Sequence, residues 1–584
     1  MLGNKTFKNI GALRQLKRVS KFSSKPSTYN DPYAYDAVAS VSGPRGRALL
    51  ESVSQDWHRP SGDVQLLEEG IMKYSEPSRK RCVDGDYLAI LKKTLDELRP
   101  AERIVPLTLG AAAKHPDFPR TTSPGFPWVT QGYATKGDVL ADKVASGRCH
   151  RAWDTIGRGA NWSLPDSMAF HRVVASEREK VKVRPVWGYP TEVVLEEARY
   201  FLPLIAHLKS HSDSTDGFYG LGMETAKSGH RHLARNFEIE GVQYSMSGDF
   251  SNFDARVPSW LIRDIFSYIS DWFDFSKVRD SDGKYWNVNV SQTCRRWKAM
   301  VSYFVSTKVR TPSGLRVQKS HGVPSGSMWT NVIDTIAGAV QMRTALYRTQ
   351  GYLPHKDYYY GDDSQVFLDE CPDLEALASV LDDVFGAILS PTKTILTTNP
   401  DNIHWLGYYH RDTGPERDLR FILASTIFPE REVHSPLESA ARLLGQLYSC
   451  MHPVHAVVFY DAVQHILDKY NLTRGLLDEY VSQLPAKAMK FLVTVGLDID
   501  EITTPPVECS AFGGRFISSV LPKPSARTFV RTRHRVLPEY AFAAEAYSNR
   551  ALRTPNFFHD FSLFKQTFDV PYDEFLDDSG YFTD

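Results

Sequence analysis

Two runs of strand-forming residues, Tyr358-Tyr359-Tyr360 and Gln365-Val366-Phe367, stand on either side of Gly361-Asp362-Asp363. With so few residues between them, the runs pair back on each other as a strand-turn-strand hairpin with acids at its tip. The surrounding chain extends the pattern. Phe237, Ile239, Val242, Tyr244 and Met246 read as a strand that delivers Asp249 at its end. Pro258 then opens an amphipathic helix through Leu261, Ile262, Ile265, Phe266, Ile269 and Phe273. Ser325 to Thr349 reads as a Gly-rich loop running into a long helix, and Leu374, Leu377, Leu381, Val384 and Phe385 mark another. A turn at Ser390-Pro391 leads to a strand carrying Lys393. The order strand, helix, helix, hairpin, helix, strand predicts an α+β fold, a small antiparallel sheet backed by helices in the split β-α-β arrangement.

Composition narrows the class. The 584 residues are 42% hydrophobic, too apolar for wholesale disorder, and no repeat or low-complexity tract is visible. No run approaches the roughly 18 consecutive apolar residues of a membrane span, which argues against an integral membrane protein. The six cysteines lie far apart with no C-x-x-C pair, against both a disulfide scaffold and a zinc ribbon. A reducing compartment is expected.

Charge is balanced at 69 basic and 69 acidic residues, but it is segregated. The first 25 residues carry seven Lys and Arg and no acid, and Arg515 to Arg535 carries six and no acid. The tail from Asp560 to Asp584 has seven acids against Lys565 alone. Basic stretches of this kind suit a polyanion or a solvated arm, and the N-terminal one also has the composition of a mitochondrial presequence.

Two carboxylate pairs carry the chemistry, Asp249 with Asp254 and Asp362 with Asp363. Transfer of a phosphoryl group to a hydroxyl spreads charge over several oxygens, which two divalent cations about 3.5–4 Å apart stabilise. Magnesium takes hard oxygen ligands and keeps several waters, so two or three aspartates suffice. Each motif alone is weak, since Gly-Asp-Asp also suits an ordinary turn and Asp249 a strand-end acid. Their company is more specific. Gly322-Val323-Pro324-Ser325-Gly326-Ser327-Met328-Trp329-Thr330-Asn331 runs into a helix that presents Thr330 and Asp334 on one face. Gly326 lets the backbone approach a substrate closely. Upstream, alternation places Lys180, Lys182 and Arg184 on one face of an extended segment, suited to a triphosphate or to solvent.

In this order the set resembles the RNA-dependent RNA polymerases of viruses, most closely those of the partitivirus and picobirnavirus group with double-stranded RNA genomes. Thr122-Ser123-Pro124-Gly125-Phe126-Pro127 is similar to their motif G, Lys180 to Val186 to motif F, and Asp249 to Asp254 to motif A. Gly322 to Asp334 resembles motif B, Tyr360 to Asp363 motif C, Lys393 the lysine of motif D, and Trp405-Leu406-Gly407-Tyr408 motif E. The motifs cover about residues 120–410 in the unpermuted order. One departure is Asp334, where the positive-strand virus pattern has Asn. If Asp334 meets Asp254, one of the two carboxyls needs a proton.

The resemblance implies a right-handed fingers–palm–thumb polymerase. Fingers are expected from 75–237 and 271–309, a palm from 238–270 and 310–410, and a thumb and C-terminal tail from 411–584. Residues 1–74 would bridge fingers and thumb. It further implies that Asp249 and Asp362, seconded by Asp363, hold two Mg2+ ions, with Mn2+ able to substitute. Asp254, Ser325, Thr330 and Asp334 would sense the ribose, and Lys180, Lys182 and Arg184 the nucleotide, with Gly326 in the nucleotide-binding loop. Lys393 would protonate the leaving pyrophosphate. Thr122, Ser123, Arg531, Arg533 and Arg535 would contact RNA. Expected partners are RNA template and product, nucleoside triphosphates and a viral capsid protein, in the host cytoplasm within the virion. The alternatives are a polymerase of a positive-strand RNA virus, a reverse transcriptase, and an inactive RNA-binding or shell protein.

Overall fold

The computed structural model describes residues 9–483 apart from 11–12, 23–27, 181–182, 212–216, 222, 224–232, 412–413 and 451–452. Lys182, Arg531, Arg533, Arg535 and the acidic tail lie outside the described residues.

Seven elements build the centre: β1 (Tyr244–Gly248), α1 (Ser259–Ser270), α2 (Thr330–Gln350), β2 (Lys356–Tyr360), β3 (Asp363–Leu368), α3 (Leu374–Phe385) and β4 (Ile395–Thr397). The sheet order is β2-β3-β1-β4, and every pair is antiparallel. The two outer connections each carry helix, as the element order predicts. α1 buries Leu261, Ile262, Ile265, Phe266 and Ile269, as read from its periodicity, and Trp260 with them, while Phe273 lies beyond its end. α3 starts where the Asp373 side chain accepts the Glu375 and Ala376 N–H groups. α2 is buried on every side from Val332 to Leu346, which is what a helix lying inside a core requires. Its one basic residue there, Arg343, is held by Asp357 and Glu97.

Some local expectations shift. β1 begins at Tyr244, because Gly241 in the left-handed region reverses the chain after a short helical turn at Asn236–Glu238. Phe237 and Val242 pack in a satellite cluster with Phe367 and Trp405 instead. Lys393 stands in the exposed turn before β4 rather than in the strand.

A second sheet runs in the order Asn9–Ile10, Leu13–Gln15, Arg316–Lys319, Lys308–Arg310, Ser167–Val173, Val183–Gly188. Arg316–Lys319, assigned by sequence to the palm span, pairs here and not with β1 to β4. Lys180, expected in an alternating extended face, precedes the strand Val183–Gly188 and forms an ion pair with Glu177.

A third assembly joins the two ends of the described chain. Helices Pro32–Val41 and Pro44–Asp56 share a hydrophobic cluster with Leu419–Ile427, Pro436–Cys450 and Pro453–Lys469. Buried Asp31 caps the first of these through Ala34, accepts the Ser439 hydroxyl and pairs with Arg442.

Candidate active site

The β2–β3 hairpin turns in two residues, Gly361 and Asp362, between the paired Tyr360 and Asp363. Gly361 has φ +66°, the backbone that the first position of a tight type II′ hairpin needs and that favours glycine. The turn is held from α2, where the Thr335 hydroxyl accepts the Gly361 N–H at 2.8 Å. Register places Ser364 opposite Gly248, so Asp363 and Asp249 leave adjacent strands at the same edge. Asp249 is further fixed by its backbone: its carbonyl accepts the Ser390 N–H at 2.9 Å and its N–H reaches the Thr394 hydroxyl at 3.4 Å. The turn that carries Lys393 is therefore docked on Asp249.

Asp254 follows in a one-turn helix, Phe253–Arg256, behind Asn252 in the left-handed region. Its carbonyl accepts the Val323 N–H at 2.7 Å, which ties this turn to the loop before α2. In that loop the Ser325 hydroxyl donates to the Pro185 carbonyl at 3.1 Å. Gly326 approaches so closely that a Cβ would lie 1.5 Å from the Trp187 carbonyl oxygen. The sequence suggested a close approach to a substrate, whereas the close approach here is to the strand Val183–Gly188, and it explains why no larger residue fits. The Thr330 hydroxyl donates to the carbonyls of Pro324 and Ser327.

Five carboxyls gather at this edge, and they sense one another. Asp249 and Asp362 are exposed, Asp254 and Asp363 half-buried, and Asp334 buried. Desolvation and the Asp362 charge push Asp254 up to about 6, with Arg184 opposing. The same two causes push Asp363 up to about 7, again against Arg184, with Asp249 adding to the rise. Burial with the charges of Asp254 and Asp362 holds Asp334 well above the carboxylate range, and its Oδ1 is buried without a hydrogen-bond partner. Asp334 does sense the Asp254 charge, the situation for which the sequence reading asked that one of the two carboxyls carry a proton. Among the described residues, Arg184 is the cation whose charge opposes the shifts of both Asp254 and Asp363.

Like charges held together at a solvent-facing edge suit a bound cation, and the donors are hard oxygens. Among the described residues no group of three or more His, Cys, Asp or Glu side chains is placed to hold a metal ion by itself.

The sequence from residue 30 to 448 matches the family described as viral RNA-dependent RNA polymerase. The chain belongs to that family. Relatives include the RNA-directed RNA polymerase of Cryptosporidium parvum virus 1, 24% identical over 393 residues, covering 63% of this chain and 68% of that protein. The RNA-directed RNA polymerase of Atkinsonella hypoxylon virus is 26% identical over 322 residues, 47% of this chain and 46% of that protein. That of White clover cryptic virus 1 is 21% identical over 327 residues, 52% and 51% of the two chains. The chain therefore spans about half the length of the last two. These are partitivirus-like relatives, the group to which the motif order pointed.

Within this polymerase family member, the other sequence-derived site residues are more scattered. Thr122 and Ser123 sit in a separate turn, where the Lys136 ammonium donates to the Thr122 hydroxyl and the Ser123 carbonyl. Lys180 is engaged with Glu177. Several supports have no motif signal. Buried Glu197 accepts the Ser327 hydroxyl at 2.7 Å and the Met328 N–H at 2.9 Å, and desolvation pushes its carboxyl up to about 7. The Tyr74 hydroxyl donates to the Val323 carbonyl. Buried Lys319 donates to the carbonyls of Phe304, Val305 and Gly322, fixing the start of the same loop. Glu197 stands beside Glu196 and two residues before Arg199 in a mixed segment, so no local signal marks it.

Proposed function

We propose that the chain carries out template-directed RNA synthesis, transcribing and replicating a viral double-stranded RNA genome by nucleotidyl transfer. The observation that carries this reading is the gathering of Asp249, Asp254, Asp334, Asp362 and Asp363 with Arg184 at one sheet edge. Asp249 and Asp362 would hold two divalent ions, seconded by Asp363. When bound, these ions stabilise charge on the reacting phosphoryl oxygens. Arg184 neutralises the incoming triphosphate. Asp254, with Asp334, Ser325 and Thr330 behind it, faces the ribose 2′-hydroxyl, the group that separates RNA from DNA substrates. Lys393, on the turn latched to Asp249, supplies a proton to the pyrophosphate oxygen as it leaves. Fingers, palm and thumb correspond to the second sheet, the β1–β4 sheet and the helices after Leu419, with the N-terminal helices joining the last. RNA and nucleoside triphosphates are the substrates, and a capsid protein within the virion the expected company.

The test is incorporation of labelled nucleotides on a homopolymer RNA template, with and without primer, in Mg2+ and then in Mn2+. Template-dependent incorporation of ribonucleotides supports the reading. Absence of incorporation in both metals by the folded full chain overturns it in favour of an inactive RNA-binding protein.

A further inference from the structure

A cavity of about 480 Å³ opens where the N-terminal arm passes the strand ends of the second sheet. The arm is fastened there by its backbone, from the N–H groups of Leu16, Val19 and Phe22 to the carbonyls of Arg316, Gly314 and Pro312 at 2.8, 3.1 and 3.2 Å. This brings part of the basic N-terminal stretch to a defined place. Lys21 lines the cavity together with Arg148, Arg310 and Arg316, against the single acid Asp166 among its described lining residues. Asp166 is already committed: Arg310 Nε and Arg316 Nε both donate to its Oδ2 at 2.6 Å, and Arg316 Nη2 to its Oδ1 at 2.9 Å. The wall therefore keeps an excess of three positive charges.

Aromatic rings shape the rest. Phe22 meets Phe126 edge to face at 5.6 Å, Arg310 lies over Phe126 at 5.0 Å, and Arg148 lies over Trp128 at 5.4 Å. The Trp128 ring orients the guanidinium of Arg148, whose charge also reaches the buried Glu192 bonded to that ring, and Lys21 and Arg148 are exposed. Such a wall rejects cations and purely apolar ligands. Its volume falls within the roughly 300–1,000 Å³ of small-molecule sites. Phosphate oxygens answer the cations and a base answers the rings. The cavity is also apart from the carboxylate cluster. Along the strand pair, Arg172 is opposite Arg184 while Met168 is opposite Gly188, and Arg310 pairs with Met168. Four residues of strand, about 13 Å, separate that end from Arg184.

We infer that this cavity is a second nucleotide site, which takes a 5′-phosphorylated nucleoside, free or as the end of an RNA strand, with Lys21 and Arg148 on the phosphate. The inference rests on the polymerase reading only in taking the ligand to be a nucleotide. The test uses the full chain and fluorescence anisotropy with a short single-stranded RNA carrying a 5′-monophosphate, beside the same RNA with a 5′-hydroxyl. The phosphate is expected to tighten binding about tenfold. The Lys21→Glu/Arg148→Glu variant should lose that preference yet still extend a pre-annealed primer, and Arg148→Gln serves if the double variant does not fold. Displacement by free nucleoside monophosphate marks a site for free nucleotides, and a preference that monophosphate does not displace marks an RNA end. Equal binding of the two RNAs with no displacement by monophosphate overturns the inference, as does a preference that survives in the variants. Loss of primer extension by the unaltered chain would instead count against the polymerase reading, and the binding result stands apart from it.

Discussion

The hydroxyl of Thr335 accepts the backbone N–H of Gly361 at 2.8 Å, joining the buried helix α2 to the tip of the acidic hairpin. Asn331, one turn earlier on α2, accepts the Tyr219 hydroxyl at 2.6 Å, so the same helix also gathers the segment that runs beside β2. The hairpin tip is thereby set against α2 instead of swinging on its two-residue turn. Thr335→Val keeps the shape and leaves the Gly361 N–H without its partner, at a cost of about 1 kcal/mol or more. Chemical denaturation should show that loss and nucleotide incorporation should fall, with both recovered in Thr335→Ser. Unchanged incorporation in the valine variant would mean that the turn holds its own position.

Asp249→Ala and Asp362→Ala should each lower incorporation by at least about 10³-fold, the scale of losing several kcal/mol of transition-state stabilisation. Each removes one of a set of like charges, so the melting temperature in metal-free buffer should hold or rise. A folded variant with near-normal turnover would remove that aspartate from the catalytic set.

Asp254→Asn should narrow the preference for ribonucleotides over deoxyribonucleotides, with a smaller effect on ribonucleotide turnover than the loss of Asp249. The ratio of the two specificity constants is the measurement. A ratio equal to that of the unaltered protein assigns Asp254 to holding the Val323 loop and nothing more.

Glu197 makes stability depend on pH. Its folded carboxyl lies at about 7 against an ordinary value of 4.5, so the folded state holds the proton more tightly than the unfolded chain does. The stabilisation is complete below about pH 4.5 and is lost as pH rises through about 7, by a few kcal/mol at most. Glu197→Gln should flatten that part of the stability profile while keeping a bond to Ser327. Parallel profiles for the two proteins between pH 4.5 and 7.5 would contradict the assignment.

Gly326→Ala should be far more damaging than Ser325→Ala. The first drives a methyl to 1.5 Å from the Trp187 carbonyl oxygen, and the backbone must move to admit it. A loss of roughly 3 kcal/mol or more is expected, against about 1 kcal/mol for removing the Ser325 hydroxyl. Thermal unfolding of both variants settles the comparison.

Local pattern was enough for the hairpin, α1, α2 and α3, because strand alternation and helical spacing are carried by neighbouring residues. It was also enough for the family, since the ordered set from Thr122 to Tyr408 is a property of the chain itself. Alternation misled where a bend intervened: Gly241 cut the first strand short, and a turn at Arg178-Glu179 took Lys180 out of the face expected for Arg184. What only the tertiary structure decided are the contacts between distant segments. Ser327 meets Glu197 across 130 residues, and the arm at Leu16 bonds to Arg316. Nothing in the local sequence marks Glu197 as buried, because burial follows from how helices and sheets stack. The sequence alone determined which carboxylates are present and on which elements they ride. Packing decided that Asp249 and Asp362 face solvent while Asp334 is sealed behind them, and desolvation then holds the Asp334 carboxyl well above the carboxylate range.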